Sequence, residues 1–139
     1  MLYMLDTNIC IFLLGKKRKT YFDKLDRIQM KGHSIAISSI VLAELQFGIA
    51  NSQRTEQNQR ELNILLGRLD VLSYDSKCAY FYGELRMTLK KTGRLIGGND
   101  LFIASHAMAE DAILVTNNLR EFQRVEGLKI EHWENEKTV

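Results

Sequence analysis

Short apolar runs alternate along the chain with longer segments that have room for helices. The runs are LYML, SIAI, LDVLSY, AILVT and LKIEHW, at residues 2–5, 34–37, 69–74, 112–116 and 128–133. Runs of this kind are typical of buried strands. Strands that alternate with helices favour a parallel sheet covered on both faces. The sequence therefore predicts an α/β three-layer sandwich with a central, mainly parallel five-stranded sheet flanked by helices.

Capping residues and periodic apolar positions indicate where the helices should lie. One helix is expected to begin near Thr7 or Asn8, and another to run from about Asn99 to Glu110. Three more are predicted from residue 38 or 39 to about 50, from 53 to 66, and from 75 or 76 to about Gly93. The buried face of the last of these is predicted from positions with helical period: Ala79, Tyr82, Leu85 and Leu89.

Composition limits the classes to which the chain can belong. With 139 residues, of which 45% are hydrophobic, it can bury a sizeable core, and we predict one domain over residues 1–139. The net charge of +2 is too small for binding nucleic acid by bulk charge. Cys10 and Cys78 lack the spacing of metal ligands and are expected to be buried reduced thiols. We recognise neither a secretory signal nor a membrane span and therefore expect a cytoplasmic protein.

Three apolar segments each contain a single formal charge, which in every case is a carboxylate. Asp6 is the charge in MLYMLDTNICIFLLG, Glu44 in IAISSIVLAELQFGIA, and Asp100 in LIGGNDLFIASHAMA. Burying an ionised carboxylate without a partner costs on the order of several kcal/mol. Because Asp6 follows the first strand, it should lie at the carboxyl edge of the sheet, where α/β proteins bind ligands. Convergence of all three there predicts a site for Mg²⁺ or Mn²⁺, which prefer oxygen ligands.

A simpler interpretation of these carboxylates remains open from the sequence. Asp6 and Asp100 both lie where a helix is expected to begin, so they could cap a helix or stabilise its dipole. Glu44 falls inside a helix among apolar neighbours, and its alternative is a solvated helix edge. In the metal-binding interpretation, Thr7 and Asn8 cap the first helix and leave Asp6 free.

Four segments, in their order and spacing, resemble the PIN-domain ribonucleases, and among them the VapC toxins of bacterial toxin–antitoxin pairs. The segments are YMLDTN, SSIVLAEL, IGGNDLFIASHA and VTNNLREFQRV, and the resemblance extends over about residues 1–133. It implies a PIN-like sandwich and a magnesium- or manganese-dependent endoribonuclease. Among the VapC toxins, the chain is similar to the group that cuts initiator tRNA in its anticodon region.

The resemblance also implies roles for individual residues. It places Asp6, Glu44 and Asp100 at the three acidic positions of the family, as catalytic residues and metal ligands. Asn118 stands nearest to the fourth acidic position of the family. Because asparagine carries no charge, the resemblance does not imply a second tightly bound metal ion. Neighbouring polar residues are predicted to support the carboxylates: Thr7, Asn8, Asn99, Thr116, Asn117 and Asn118.

Basic residues upstream of Asp100 are candidates for contacts with RNA. Arg86, Lys90, Lys91 and Arg94 could bind backbone phosphates, which position a substrate without specifying it. Lysines near the C-terminus of a helix also interact favourably with its dipole. An ordinary solvated helix end is therefore as good an interpretation of these residues as RNA binding. The run KKRK at residues 16–19 is a further candidate.

Aromatic and histidine residues contribute less to the predicted site. The consecutive aromatics Tyr80, Phe81 and Tyr82 cannot all face one way on a helix, which favours core packing over stacking on bases. The three histidines have no ligand spacing in common, so catalysis by a histidine base is the weaker mechanism.

Partners follow from the resemblance alone. It implies a VapB-type antitoxin that occludes the site, operator DNA bound through the antitoxin complex, and a homodimer. Some apolar positions could be more than one small core requires, and they could then form the dimer surface. They are Phe47, Ile49, Leu62, Leu65 and Leu66. Three alternatives stay open: a PIN-fold RNA-binding module without catalysis, a VapC ribonuclease acting on another RNA, and a receiver-type phosphotransfer domain.

Overall fold

The computed structural model describes residues 1–15 and 18–133 of the 139. Within these ranges the chain forms five strands and seven helices. The strands are β1 (Leu2–Leu5), β2 (Ser34–Ser38), β3 (Asp70–Leu72), β4 (Ile113–Val115) and β5 (Lys129–Glu131). The helices are α1 (Thr7–Leu14), α2 (Arg18–Met30), α3 (Ser39–Ala50), α4 (Thr55–Leu66), α5 (Ser76–Lys91), α6 (Gly98–Ala109) and α7 (Leu119–Phe122). Lys16 and Lys17 of the basic run lie outside the described residues.

The five strands form one parallel sheet in the order β3-β2-β1-β4-β5. This confirms the predicted α/β sandwich. A receiver-type domain has the order β2-β1-β3-β4-β5, so that alternative is wrong. The strand order reverses between β1 and β4, and ligands of such sheets bind in the crevice at the carboxyl ends of these strands. Asp6 follows β1 and Thr116 follows β4, so both residues lie at this crevice.

The core of the protein lies on the three central strands. Met4 and Leu5 on β1, Ile37 on β2 and Leu114 on β4 are at most 2% exposed. The edge strands β3 and β5 leave most of their residues exposed or half-exposed. Helix α1 packs against α2, α3 and α4, and α5 packs along α6. Truncating a core leucine such as Leu114 to alanine is therefore expected to cost about 2–5 kcal/mol.

Helix α5 shows how sequence signals set both ends of an element. The Asp75 carboxylate accepts a hydrogen bond from the Cys78 amide at 3.1 Å, as an N-cap should. At the other end Gly93 has φ of 67°, a left-handed conformation that terminates the helix at low cost. The predicted buried face is wrong at one position, because Ala79 is exposed and Cys78 is buried in its place.

The sequence patterns do not predict α2 and α7. Helix α2 is mostly polar, and it packs through a few buried side chains such as Tyr21 and Leu25. Helix α7 has four residues, too few to show a period. The fully buried side chain of Phe122 fixes α7 to the core beside the crevice.

None of the helices within the described residues is long and apolar enough to cross a lipid bilayer. Cys10 and Cys78 are both buried free thiols, as predicted.

Candidate active site

Asp6 occupies the end of β1 with both carboxylate oxygens held in place. Its Oδ1 accepts a hydrogen bond from the Thr7 amide at 2.8 Å, and its Oδ2 accepts one from the Thr116 hydroxyl at 2.7 Å. Asp6 is thus itself the N-cap of α1, and the prediction that Thr7 and Asn8 would cap this helix in its place is wrong. Burial raises the pKa of Asp6, and the two hydrogen bonds counter part of that rise.

Glu44 faces the same crevice from the second turn of α3. Its Oε1 accepts a hydrogen bond from the Thr7 hydroxyl at 2.7 Å, so Thr7 connects the carboxylates of Asp6 and Glu44. Helix α3 is capped by Ser38, whose Oγ accepts from the Ile40 amide at 3.0 Å and lies 2.7 Å from Nδ1 of buried His106. Glu44 is half-buried and hydrogen-bonded, which rejects its interpretation as a freely solvated helix edge.

Asp100 lies in the first turn of α6 and is half-buried. Its Oδ2 accepts a hydrogen bond from Nδ2 of Asn118 at 3.2 Å. Burial, a hydrogen bond with the carboxyl group of Glu121 and the charges of Asp6, Glu121 and Glu44 together raise the pKa of Asp100 to about 8. The charges of Asp6 and Glu44 therefore act on Asp100 across the crevice.

Glu121 is a fourth carboxyl group at the site, and the sequence interpretation missed it. It lies on α7, and its hydrogen bond with Asp100 lowers the pKa of Glu121. Two carboxyl groups can share such a bond when one of them carries a proton. Glu121 adjoins buried Phe122, and Arg124 one turn later donates to the Leu95 carbonyl at 2.8 Å. No local pattern in VTNNLREFQRV marks Glu121, because its approach to Asp100 depends on how the four-residue helix α7 packs.

The six predicted supporting residues divide into two groups. Thr7, Thr116 and Asn118 donate hydrogen bonds to the carboxylates of Glu44, Asp6 and Asp100. The Asn117 amide instead donates to the Tyr21 hydroxyl at 2.8 Å and joins the loop after β4 to α2. Asn8 and Asn99 are exposed, and both line an open pocket beside Glu44.

The donor set suits a hard divalent cation. Four carboxyl groups, from Asp6, Glu44, Asp100 and Glu121, provide oxygen ligands of the kind that Mg²⁺ and Mn²⁺ prefer. Burial is the largest cause of the raised pKa of Asp100, and the charges of its carboxyl neighbours add to the rise; a cation would relieve their repulsion. In residues 1–15 and 18–133, no three Asp, Glu, His or Cys side chains are yet close enough to hold a metal ion. The residues therefore fit a cation by their chemistry, and side-chain movement is needed to close the ligand set.

The predicted RNA contacts lie on the exposed surface of α5 and the segment that follows it. Arg86 donates to the Tyr82 hydroxyl at 3.1 Å, and its guanidinium lies 6.0 Å from the centre of that ring. Lys90 and Lys91 form the exposed last turn of α5, and Arg94 is exposed just beyond it. Tyr80 is 65% exposed, so the prediction that it packs in the core is wrong.

Comparison with known sequences assigns the chain to a family. The PIN domain family model matches residues 3–128. Ribonuclease VapC2 of Rickettsia felis is 52% identical over 134 residues, which cover 96% of this chain and 99% of that protein. The tRNA(fMet)-specific endonuclease VapC of Shigella flexneri is 42% identical over 131 residues, covering 94% of this chain and 97% of that protein.

Solved structures agree with the sequence comparison. The crystal structure of VapBC2 from Rickettsia felis, bound to a DNA fragment from their promoter, contains a chain with a TM-score of 0.92 and 51% identity. The match covers 96% of this chain and all of that one. DNA-bound VapBC from Salmonella typhimurium gives a TM-score of 0.89 at 39% identity, covering 96% of this chain and 99% of its counterpart.

Proposed function

The chain belongs to the PIN-domain family, and within it to the VapC ribonucleases of toxin–antitoxin pairs. From this premise we propose that it is a divalent-metal-dependent endoribonuclease that cleaves initiator tRNA. The observation that supports the proposal is the set of hydrogen bonds at the crevice between β1 and β4, through which Thr7 links Asp6 to Glu44 and Asn118 contacts Asp100. We propose Mg²⁺ or Mn²⁺ as the cofactor. We also keep one domain over residues 1–139 as a proposal.

The side chains of the crevice provide for phosphodiester hydrolysis. Asp6 and Asp100 would hold the metal ion as its principal ligands, while Glu44 would be a further ligand or would orient the attacking water. Thr7 and Thr116 hold Asp6 and Glu44 at fixed positions, so little reorganisation is needed there when substrate binds. A bound divalent ion would lower the pKa of water and neutralise charge that develops on the phosphate. The side-chain amide nitrogen of Asn118 donates to Asp100, so the side-chain oxygen of Asn118 is not used in this contact.

Initiator tRNA is proposed as the substrate because relatives in Shigella flexneri and Salmonella typhimurium are named tRNA(fMet)-specific endonuclease VapC. The test is to incubate the protein with total tRNA in Mg²⁺ and map the new RNA ends by sequencing. We expect one cut in the anticodon stem-loop of initiator tRNA, and none when a chelator is present. Scattered cuts in messenger RNA would favour a VapC ribonuclease with another substrate. Binding without chelator-sensitive cleavage would favour the non-catalytic RNA-binding module.

We propose a VapB-type antitoxin as the protein partner, since the matched structures are complexes of VapB with VapC on DNA. In this proposal operator DNA is contacted by the antitoxin complex, and free toxin acts on tRNA in the cytoplasm. Purification of the chain together with its neighbouring gene product should give a complex without ribonuclease activity. Full activity in that complex would reject occlusion of the site.

A homodimer is also proposed, and the exposed aromatic residue of α3 supports it. Of the apolar positions considered for this surface, Leu62 and Leu65 are buried in the core, and Ile49 and Leu66 pack against it. Phe47 remains 72% exposed, and Ile64 of α4 is 61% exposed. Sedimentation should report a dimer that Phe47→Glu weakens. A wild-type monomer at micromolar concentration would reject it.

A further inference from the structure

An open pocket of about 620 Å³ adjoins the carboxylates on the side of α3 and α6. Its lining includes Thr7 and Glu44, the apolar side chains of Ile40 and Phe102, and the exposed ring of Phe47. Its volume lies within the range of about 300–1,000 Å³ that is usual for small-ligand sites. A group bound here would therefore contact apolar side chains together with the carboxylate of Glu44.

Two exposed amides, from Asn8 and Asn99, give the pocket its polar lining. Each is the second residue of its helix, α1 or α6, so each lies beside a carboxylate of the site. Neither takes part in the hydrogen bonds that hold Asp6, Glu44 and Asp100. A carboxamide offers a donor and an acceptor together, which matches the hydrogen-bonding edge of a nucleobase.

Phe102 presents an aromatic ring that its neighbours hold in place. Its ring stacks on Tyr82 with centroids 4.7 Å apart and an angle of 18°, and it meets Tyr74 edge-on at 5.4 Å. A ring fixed in this way loses little conformational entropy when a ligand packs against it. Arg86, whose guanidinium lies over Tyr82, adds a cation on the same side of the molecule.

We infer that this pocket binds one unpaired nucleobase of the RNA, next to the phosphate that is cleaved. Phe102 supplies an apolar aromatic contact for the base, Asn8 and Asn99 hydrogen-bond its edge, and Arg86 contacts a neighbouring phosphate. Proteins recognise single-stranded RNA through this combination of aromatic contact and edge hydrogen bonds. The inference rests on the proposed function, because it takes RNA to be the substrate, and it makes these residues determinants of specificity.

The probe is a hairpin RNA with the anticodon stem and loop of initiator tRNA, made as a series with one loop base removed at a time. Affinity is measured in chelator, and kcat/KM for cleavage in Mg²⁺. The variants are Asn99→Ala and Phe102→Leu, the second of which keeps apolar volume while removing the ring. The matched controls, Asn63→Ala and Tyr80→Leu, remove an exposed amide and an exposed aromatic that do not line the pocket.

Removal of one particular base is expected to weaken wild-type binding roughly tenfold. Phe102→Leu and Asn99→Ala should weaken binding of the intact hairpin by similar factors and have no further effect on the hairpin that lacks that base. The controls should bind as the wild type does. If the variant and the removal of the base each weaken RNA binding independently, so that their fold losses in affinity multiply, the inference is overturned. So would a Phe102→Leu protein with unchanged RNA affinity but a smaller oligomeric state, since the pocket would then be a contact between copies.

The two readouts separate this inference from the proposed function. Coupled losses of affinity in chelator, together with no cleavage in Mg²⁺, would support the base pocket and reject the nuclease. Metal-dependent cleavage, together with losses of RNA affinity that multiply between variant and base removal, would support the nuclease and reject the base pocket.

Discussion

The two sides of the carboxylate crevice are built differently. On the β1 side, Asp6 is almost fully buried, and both of its oxygens accept hydrogen bonds from groups fixed by the sheet and by α1. On the α6 side, Asp100 is half-buried, and its nearest acidic partner is another carboxyl group, that of Glu121. Both oxygens of Asp6 accept hydrogen bonds from neutral donors, whereas Asp100 combines one neutral donor, Asn118, with a hydrogen bond to the carboxyl group of Glu121.

This difference indicates what each side requires. The Asp6 side is already organised without a cation, because the hydrogen bonds that orient its oxygens come from the protein. Burial, the hydrogen bond with Glu121 and the neighbouring charges raise the pKa of Asp100 to about 8, so its charged form is disfavoured unless a positive charge compensates it. We therefore expect cation binding to change the α6 side more than the β1 side.

The largest expected effect is the loss of RNA cleavage in Asp6→Asn and in Asp100→Asn. Each removes a proposed metal ligand, so kcat/KM should fall by more than the roughly 10–100-fold that loss of an outer partner costs. The measurement is cleavage of initiator tRNA in Mg²⁺, with circular dichroism to confirm folding. Asp70→Asn, an exposed change on edge strand β3, serves as the control and should cleave normally. Retained activity in either active-site variant would remove that carboxylate from the mechanism.

Glu121→Gln tests whether the fourth carboxyl group belongs to the cation site. The change removes one negative charge beside Asp100, so the Mg²⁺ concentration for half-maximal cleavage should rise about 10–100-fold. A Mg²⁺ titration of cleavage measures this, and Glu126→Gln, an exposed residue beyond α7, is the matched control. An unchanged midpoint would mean that Glu121 only positions Asp100.

Thr116→Val tests the organised side of the comparison. The valine leaves one buried oxygen of Asp6 without its donor, which should lower the free energy of unfolding by about 1–3 kcal/mol. We expect a loss of cleavage of about tenfold, with a smaller rise in the Mg²⁺ midpoint than Glu121→Gln gives, since the carboxyl groups of Asp100 and Glu121 are both kept. Denaturant unfolding and kinetics provide the two values, and Thr88→Val on exposed α5 is the control. A large shift in the midpoint would contradict the division between the two sides.

His106 gives a smaller effect on stability that is independent of the carboxylates. Burial lowers its pKa below 6.5, although the charges of Glu110 and Asp75 oppose this. The unfolded chain then takes up a proton that the folded protein resists, so stability is retained above pH 6.5 and falls as the pH drops below it. His106→Gln, which can still bond Ser38, should flatten this loss by up to about 2 kcal/mol at pH 5. An equally steep pH dependence in the variant would assign the loss to other groups.

The sequence was sufficient for those parts of the molecule that local patterns determine. The apolar runs predict all five strands, and the caps of α3 and α5 are at the predicted serine and aspartate. Asp6, Glu44 and Asp100 could be proposed as a candidate site because a lone charge in an apolar segment has a high desolvation cost.

Other features depend on contacts that no local pattern contains. Glu121 reaches Asp100 because buried Phe122 fixes a short helix to the core, and that distance is a property of the fold. The exposure of Tyr80 and Phe47 follows from how α5 and α3 turn against their neighbours, although both residues are apolar enough for a core. Asn8, Asn99 and Asn117 have similar sequence contexts, yet two line a pocket and one bonds Tyr21.

The most direct test of the comparison is thermal unfolding of the wild type and of Asp100→Asn, at a pH above 8, in chelator and in Mg²⁺. In chelator the variant should melt at a higher temperature, because it lacks the charge that the metal-free site cannot compensate. Mg²⁺ should then raise the Tm of the wild type and leave that of the variant nearly unchanged. A variant that melts lower than the wild type in chelator, or that gains as much from Mg²⁺, would contradict a cation site centred on Asp100.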